Sequence, residues 1–454
     1  MIRFITTVRL IVAAITLLLT VSCNKIINTP HVGNPNGAEL STVLTNATRD
    51  QLTQLAIGTF SAMRTGYNTN PGNGTSSYES YCKVAGTLGR EVYVINSSET
   101  RWLNELAGLN GALDPGAFYN GYYFSFSSCR QTAAILQQSA LNTNSIDSQE
   151  REGILGFTNT VIAFEMLHIL NMQGKNGIRI NLADYLNPGP FVSYDSALAA
   201  IKGRLDSAAT QLQQAGNAFL FTSPAGFAGF DAPMTFLLFN RAIAARIAIY
   251  QKDWQGALNA LNASYFNLNG SLSTGPVFNW GLAPDVLNPL YQPLDNSISV
   301  VANNSFAAEA EPGDWRLNKI ALRSAPNTLV GVGGAYDVNL YPANVTPVSI
   351  IRNEELILIY AECMIQLGQL QNAVQALNII RTQAGGLGPY TGGLTQNALI
   401  DELLKQRRYS LFYEGHRWID MRRYGRLGQL PLDQPGQIIF DAMPRPLSEV
   451  NWGK

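Results

Sequence analysis

Apolar residues recur at helical spacing along most of this chain, and strand-like alternation is nowhere sustained. The clearest stripe lies near the C-terminus, where Ile400, Leu403, Leu404, Leu411 and Phe412 share one helical face. The same periodicity predicts helices over 46–64, 116–138, 147–172, 194–214, 233–251, 253–262, 352–367, 370–383 and 396–413. Two segments, 68–115 and 264–349, resist it. Both are rich in Gly, Asn, Pro and aromatic residues and long for simple connections, which marks them as functional loops with short local elements.

An internal repeat organises part of the pattern. ARIAIYQKDWQGALNALN starts at Ala245 and AECMIQLGQLQNAVQALN at Ala361; Ala245, Ile249, Ala257, Leu261 and Asn262 match Ala361, Ile365, Ala373, Leu377 and Asn378. In each copy a helix ends at a tight turn, and the next helix opens with a large apolar residue, Trp254 or Leu370. An Ala three residues later allows close approach. The hairpin resembles a tetratricopeptide unit, although the copies are not spaced by a multiple of about 34 residues and are therefore interrupted rather than tandem.

Arg407 and Arg408 interrupt the C-terminal apolar stripe. An unpaired buried charge costs several kcal/mol, so each arginine needs carboxylates or carbonyls. Glu355 and Glu362 on the preceding helix, with Glu414 and Asp420 downstream, are the expected partners, and Arg417 belongs to the same cluster. Gly415 is placed to end the helix in a left-handed conformation. The cluster reads as a buried ionic lattice that fastens the C-terminal segment, not as an acid–base centre.

Composition narrows the class. The chain has 454 residues, 46% of them hydrophobic, enough for a sizeable core. Only 14% are charged, against roughly 25% in ordinary soluble domains; Asn, Gln, Ser, Thr and Gly supply the polarity, as suits an extracellular surface. With 31 basic and 32 acidic residues, nothing recommends nucleic acid or an anionic membrane as partner. Arg3 and Arg9 precede an apolar run over 10–21, then Ser22 and Cys23. The run is shorter than the roughly 20 residues that span a bilayer, and its layout is that of an export signal. A small residue before Cys23 predicts a lipoprotein, with a signal peptide over 1–22, acylated Cys23 and a polar tether over 23–45, and one domain over 46–454. Thr20 stands where a Leu is usual. Cys82, Cys129 and Cys363 form no disulfide framework, and a Cys82–Cys129 bridge is left open.

Two C-terminal stretches carry a longer fingerprint, RNEELILIYAECMIQLGQLQNAVQALNIIRTQAGG from Arg352 and LIDELLKQRRYSLFYEGHRWIDMRRYG from Leu399. Arg352, Glu355, Tyr360, Ala361, Glu362, Leu367, Gly368, Ala373, Leu377, Asn378 and Arg381 resemble the first half of the SusD/RagB family pattern. Arg407, Leu411, Glu414, Gly415, Arg417, Asp420 and Arg423 resemble the second, with Gln406 and Ser410 where the pattern has glutamates. The resemblance implies an all-α fold of tetratricopeptide-like helix pairs with long irregular loops. It also implies an outer-membrane lipid anchor, exposure at the cell surface, and a SusC-like TonB-dependent transporter as partner. Such lipoproteins bind a glycan without transforming it, or a peptide in RagB-like members.

Ligand residues do not transfer by motif, so chemistry has to choose them. Sugars are held by aromatic faces flanked by hydrogen-bonding side chains. The first long segment offers Tyr78, Arg90, Tyr93, Arg101, Trp102 and Asn104; the second offers Trp280, Trp315 and Tyr336. Trp102, beside Arg101 and Asn104, is the leading expectation, in competition with a role as core anchor. Trp315 lies between Asp314 and Arg316, an element that resembles family scaffold. A glycan-cleaving enzyme is the alternative class, with Glu91 and Glu99 as the conceivable pair. No cofactor or metal is expected: His31, His168 and His416 lie far apart, and no G-x-S-x-G, HExxH or phosphate loop occurs.

Overall fold

The computed structural model describes residues 40–65, 77–181 and 188–452. The expected signal peptide, Cys23, most of the tether and His31 lie outside the described residues. Residues expected to end the tether instead form a short helix, Leu40–Asn46, which buries Val43.

The Ser148–Gln173 helix is the axis of the N-terminal half. A capping box starts it: the Asp147 carboxylate accepts the Glu150 N–H at 2.9 Å, and the Glu150 carboxylate accepts the Asp147 N–H at 3.1 Å. From Gly153 onward every residue is buried, so a helix apolar on all sides is enclosed by protein as it must be. It is long and apolar enough to cross a membrane, but its apolar window is wholly buried. The Gly121–Asn142 and Tyr194–Gln214 helices pack against it. Gly156 sets the second contact, since a Cβ there would fall 2.6 Å from Leu212 Cγ.

The repeat folds as two equivalent hairpins, Pro233–Tyr250 with Trp254–Asn262 and Asn353–Gln366 with Leu370–Ile379. Their turns close with the same bonds. Lys252 N–H donates to Ile249 O and Asp253 N–H to Ala248 O; Gly368 N–H donates to Ile365 O and Gln369 N–H to Met364 O. This paired closure places one residue in the left-handed region, Lys252 at φ +60° and Gly368 at φ +75°. The Gln396–Ser410 helix packs on the second hairpin.

The two loop-rich segments are joined by a sheet that periodicity did not reveal. Its antiparallel order is Val92–Ile95, Ser299–Ala302, Val332–Val338, Ile320–Leu329. Val92 pairs with Ala302 and Ile95 with Ser299, linking the first segment to the second. The first segment also holds a helix, Ser77–Leu88. Val92, Val94, Val300 and Ala302 join the main core, while Tyr93, Ile95 and Val301 form a second cluster with Leu103, Ala107 and Val332. The architecture is mostly helical, as expected, with one small sheet knitting the loops into a layer.

Candidate ligand site at Trp315

The side chains flanking Trp315 fix it from below. Arg316 and Asp314 are buried and paired, with Arg316 Nε and Nη2 donating to the Asp314 carboxylate at 2.8 and 2.7 Å. Arg316 Nη1 donates to Gln406 Oε1 at 2.7 Å and Ser410 Oγ at 3.2 Å. Gln406 and Ser410, the departures from the glutamate pattern, thus serve as neutral acceptors for a guanidinium whose charge Asp314 already balances. Between these two anchors Trp315 turns outward, 63% exposed. Its backbone N–H donates to Gly385 O at 2.9 Å, and its ring lies against Gly386. Gly386 has φ +62°, and a Cβ there would fall 2.1 Å from Trp315 Cε2. Backbone therefore supports the indole, whose remaining surface is open.

Beside it lies a cavity of about 440 Å³, with Ser273, Asn318 and Thr346 among its lining residues. Charges line its base. Arg352 donates to Glu354 at 2.8 Å, to Glu414, and to Ser410 O at 2.7 Å. Burial opposes ionisation of Glu354, yet Arg352 and Lys319 outweigh it and hold the carboxyl below its usual range. Lys319 donates to Tyr409 O at 2.9 Å and Ser410 O at 2.6 Å, and burial pulls its ammonium down to about 8. The charged groups are engaged with protein, so what faces a ligand is an aromatic platform with neutral polar groups. That combination stacks on C–H faces and hydrogen-bonds hydroxyls.

Five of the expected ligand residues are core anchors instead. Trp102 is 2% exposed, its ring edge-on to Phe118 at 5.0 Å. Tyr93 is fully buried, donating its hydroxyl to Asp433 and accepting from Asn303 at 3.3 Å. Arg90 clamps three carbonyls, donating to Thr87 O at 2.9 Å, Ala107 O at 2.8 Å and Ile438 O at 2.8 Å. Tyr78 stacks on Tyr81, and Trp280 lies buried beneath Arg64. For Arg90 and Tyr93 the cause is the final stretch of chain, whose Ile438 and Asp433 cover them. Arg101 and Asn104 keep partial exposure but are engaged locally, Arg101 with Glu99 at 2.8 Å and Asn104 with Thr100 at 3.3 Å. Tyr336 is half-buried in the sheet, opposite Leu322. None of the described first-segment residues lines the Trp315 cavity.

The C-terminal lattice exists; of the expected partners Asp420 meets Arg407, while the other carboxylates pair elsewhere. Arg407 donates to Asp420 at 2.6 Å, while Arg408 bonds Glu309. Glu355 pairs with Arg246 at 2.6 Å, Glu362 with Arg423, and Glu414 with Arg352. Asp420 also accepts from Arg423 at 2.9 Å. Arg417 donates to Gly89 O at 3.1 Å, and burial pulls it down to about 10. Both terminal nitrogens of Arg407 are buried without a partner among the described residues. Gly415 is left-handed at φ +79°, and a Cβ there would fall 2.2 Å from Tyr81 Cε1.

Residues 343–446, which hold most of this lattice, match the SusD family. That C-terminal stretch carries the SusD/RagB family signature. Its fold is similar to that of a SusD superfamily protein from Bacteroides vulgatus ATCC 8482, with TM-score 0.68, 16% identity, and 89% of this chain and 97% of that one covered. Surface glycan-binding protein A from Bacteroides thetaiotaomicron, solved with laminarihexaose, gives TM-score 0.68 at 12% identity over 90% and 98% of the two chains. A SusD-like carbohydrate binding protein from B. vulgatus ATCC 8482 gives 0.61 at 16% identity, covering 83% of each chain. No curated protein matches the chain in sequence.

Glu91 and Glu99 occupy unlike settings. Glu91 is buried, neither carboxylate oxygen has a hydrogen-bond partner among the described residues, and burial raises its carboxyl to about 8. Glu99 is held below its usual range by its hydrogen bond to Arg101. Burial draws His168 and His416 down to about 3, so both stay neutral. No cluster of three or more metal-ligating side chains occurs among the described residues. Cys82, Cys129 and Cys363 are free, buried thiols.

Proposed function

We propose that this protein captures a glycan at Trp315 and delivers it to a SusC-like TonB-dependent transporter, from a lipid anchor at Cys23 on the outer-membrane surface. The observation that carries the reading is the exposed indole beside a cavity of about 440 Å³, with neutral polar groups among its lining. Likeness to a glycan-binding protein solved with laminarihexaose supports the ligand class. Peptide capture is less favoured, because the charged groups at the base are tied to one another and to backbone. A neutral-glycan panel titrated into purified protein should identify a ligand, and Trp315→Ala should weaken it at least tenfold, about 1.4 kcal/mol. Unchanged affinity in Trp315→Ala would reject the site, and binding of peptides alone would reject the ligand class. Cys23→Ala should release the protein from membranes; retention with lipid labelling would reject the anchor. Delivery predicts co-purification with the transporter, and a clean separation under mild detergent would count against it.

A further inference from the structure

A second cavity, of about 210 Å³, has a different chemistry. Ser127, Arg130 and Gln131 reach it from one face of the Gly121–Asn142 helix, and Arg179, Glu449 and Trp452 complete much of its wall. Arg179 is satisfied by Glu449 at 2.9 Å. Arg130 is not. It is 7% exposed, makes no hydrogen bond or ion pair with any described residue, and its Nε is enclosed without a partner. The Ser127 hydroxyl, one turn earlier, is likewise buried and unpartnered among the described residues. Glu165 lies within electrostatic reach of Arg130 but forms no hydrogen bond or ion pair with it, and burial pushes its carboxyl well above the usual range.

A buried, uncompensated guanidinium costs several kcal/mol unless an anion meets it. Its planar fork matches a carboxylate through two parallel hydrogen bonds. Among the described lining residues, Arg179 is balanced by Glu449 and Arg130 is left as one positive charge, which suits a monoanion better than a phosphate dianion. Ser127 and Gln131 add hydroxyl-binding groups, and the 48%-exposed Trp452 indole adds a surface for a sugar's C–H face. The volume suits a single pyranose ring. We propose that this cavity is a second binding site, which takes the carboxylate of a uronic-acid residue through Arg130. It stands independently of glycan capture at Trp315. A peptide α-carboxylate shares the anionic group but brings no ring hydroxyls for Ser127 and Gln131.

The test titrates the mature chain with galacturonate, glucuronate, glucose and N-acetylglycine, followed by ligand-observed NMR. Either uronate should bind at least tenfold more tightly than glucose or N-acetylglycine. Arg130→Gln should weaken the uronate at least tenfold, with folding checked by circular dichroism, and Trp315→Ala should leave it unchanged. Should Arg130→Gln not fold, Trp452→Ala decides, with a loss of at least threefold expected. The proposal is overturned by glucose binding equally well, by N-acetylglycine binding in place of the uronates, or by unchanged uronate affinity in the deciding variant. It is also overturned if Trp315→Ala removes uronate binding, because the ligand then occupies the other cavity.

Discussion

Replacing Gly386 with alanine tests how the ligand platform is built. The added methyl meets two separate obstacles. At φ +62° a Cβ costs roughly 1–2 kcal/mol in the left-handed region, wherever the neighbours lie. It would also sit 2.1, 2.3 and 2.6 Å from three indole atoms of Trp315. Those atoms belong to a side chain 63% exposed, so the ring can swing away more cheaply than the backbone can move. The overlap thus adds only the lost ring–backbone packing, and the total comes to about 2 kcal/mol. For a chain of this size that is a fall in Tm of roughly 2–4 °C. The diagnostic effect is local. Acrylamide quenching of tryptophan emission should increase, glycan affinity should fall about as far as in Trp315→Ala, and a Trp315→Phe background should abolish the quenching change. A fully stable Gly386→Ala protein with native quenching and native affinity would refute the described support of the indole.

Three further perturbations separate other parts of the argument. Glu91 has its carboxyl raised to about 8, so the proton it holds stabilises the fold fully below about pH 4.5, and that stability is lost as pH rises toward 8. Glu91→Gln should flatten this decline and raise stability at pH 8 by a few kcal/mol, read from urea unfolding across the pH range. Lys252→Gly relieves a left-handed side chain where the equivalent turn already uses Gly368; a gain of about 1 kcal/mol is expected, and a loss would contradict the equivalence of the two hairpins. Asp420→Asn removes the carboxylate shared by Arg407 and Arg423. It should cost about 3–5 kcal/mol in chemical denaturation, and a neutral effect would mean the lattice contributes no net stability.

The long helices were legible because one-sided burial writes its period into the sequence. The matching alanines, with Trp254 and Leu370 opening the second helices, likewise carried the hairpins. The strands left no such trace, since Val92–Ile95 and Ser299–Ala302 are buried on both faces and every position is filled alike. The Ser77–Leu88 helix was hidden by its small, polar and aromatic mixture. The lattice could be named as a set but not paired, because Glu309 and Arg246 reach it from distant elements. Trp102 and Trp315 are alike as sequence, each beside an arginine. What separates them is tertiary: Phe118 and the surrounding core enclose one, while Gly386 leaves room for the other. The Gly385–Gly386 pair was the available signal, and it acquires meaning only once Trp315 is placed upon it.

The sheet also governs when the molecule can become itself. Val92–Ile95 finds its partner only after about 200 further residues are present, and closing so long a loop costs roughly 5 kcal/mol of chain entropy. Until then a short, uncharged, β-branched segment has nothing to pair with but another molecule, the kind of edge from which aggregates grow. The helical hairpins, whose contacts are local, can form early and wait. The layer that carries the ligand platform therefore closes late, and any change that delays Ser299–Ala302 lengthens the interval in which copies of this protein can capture one another.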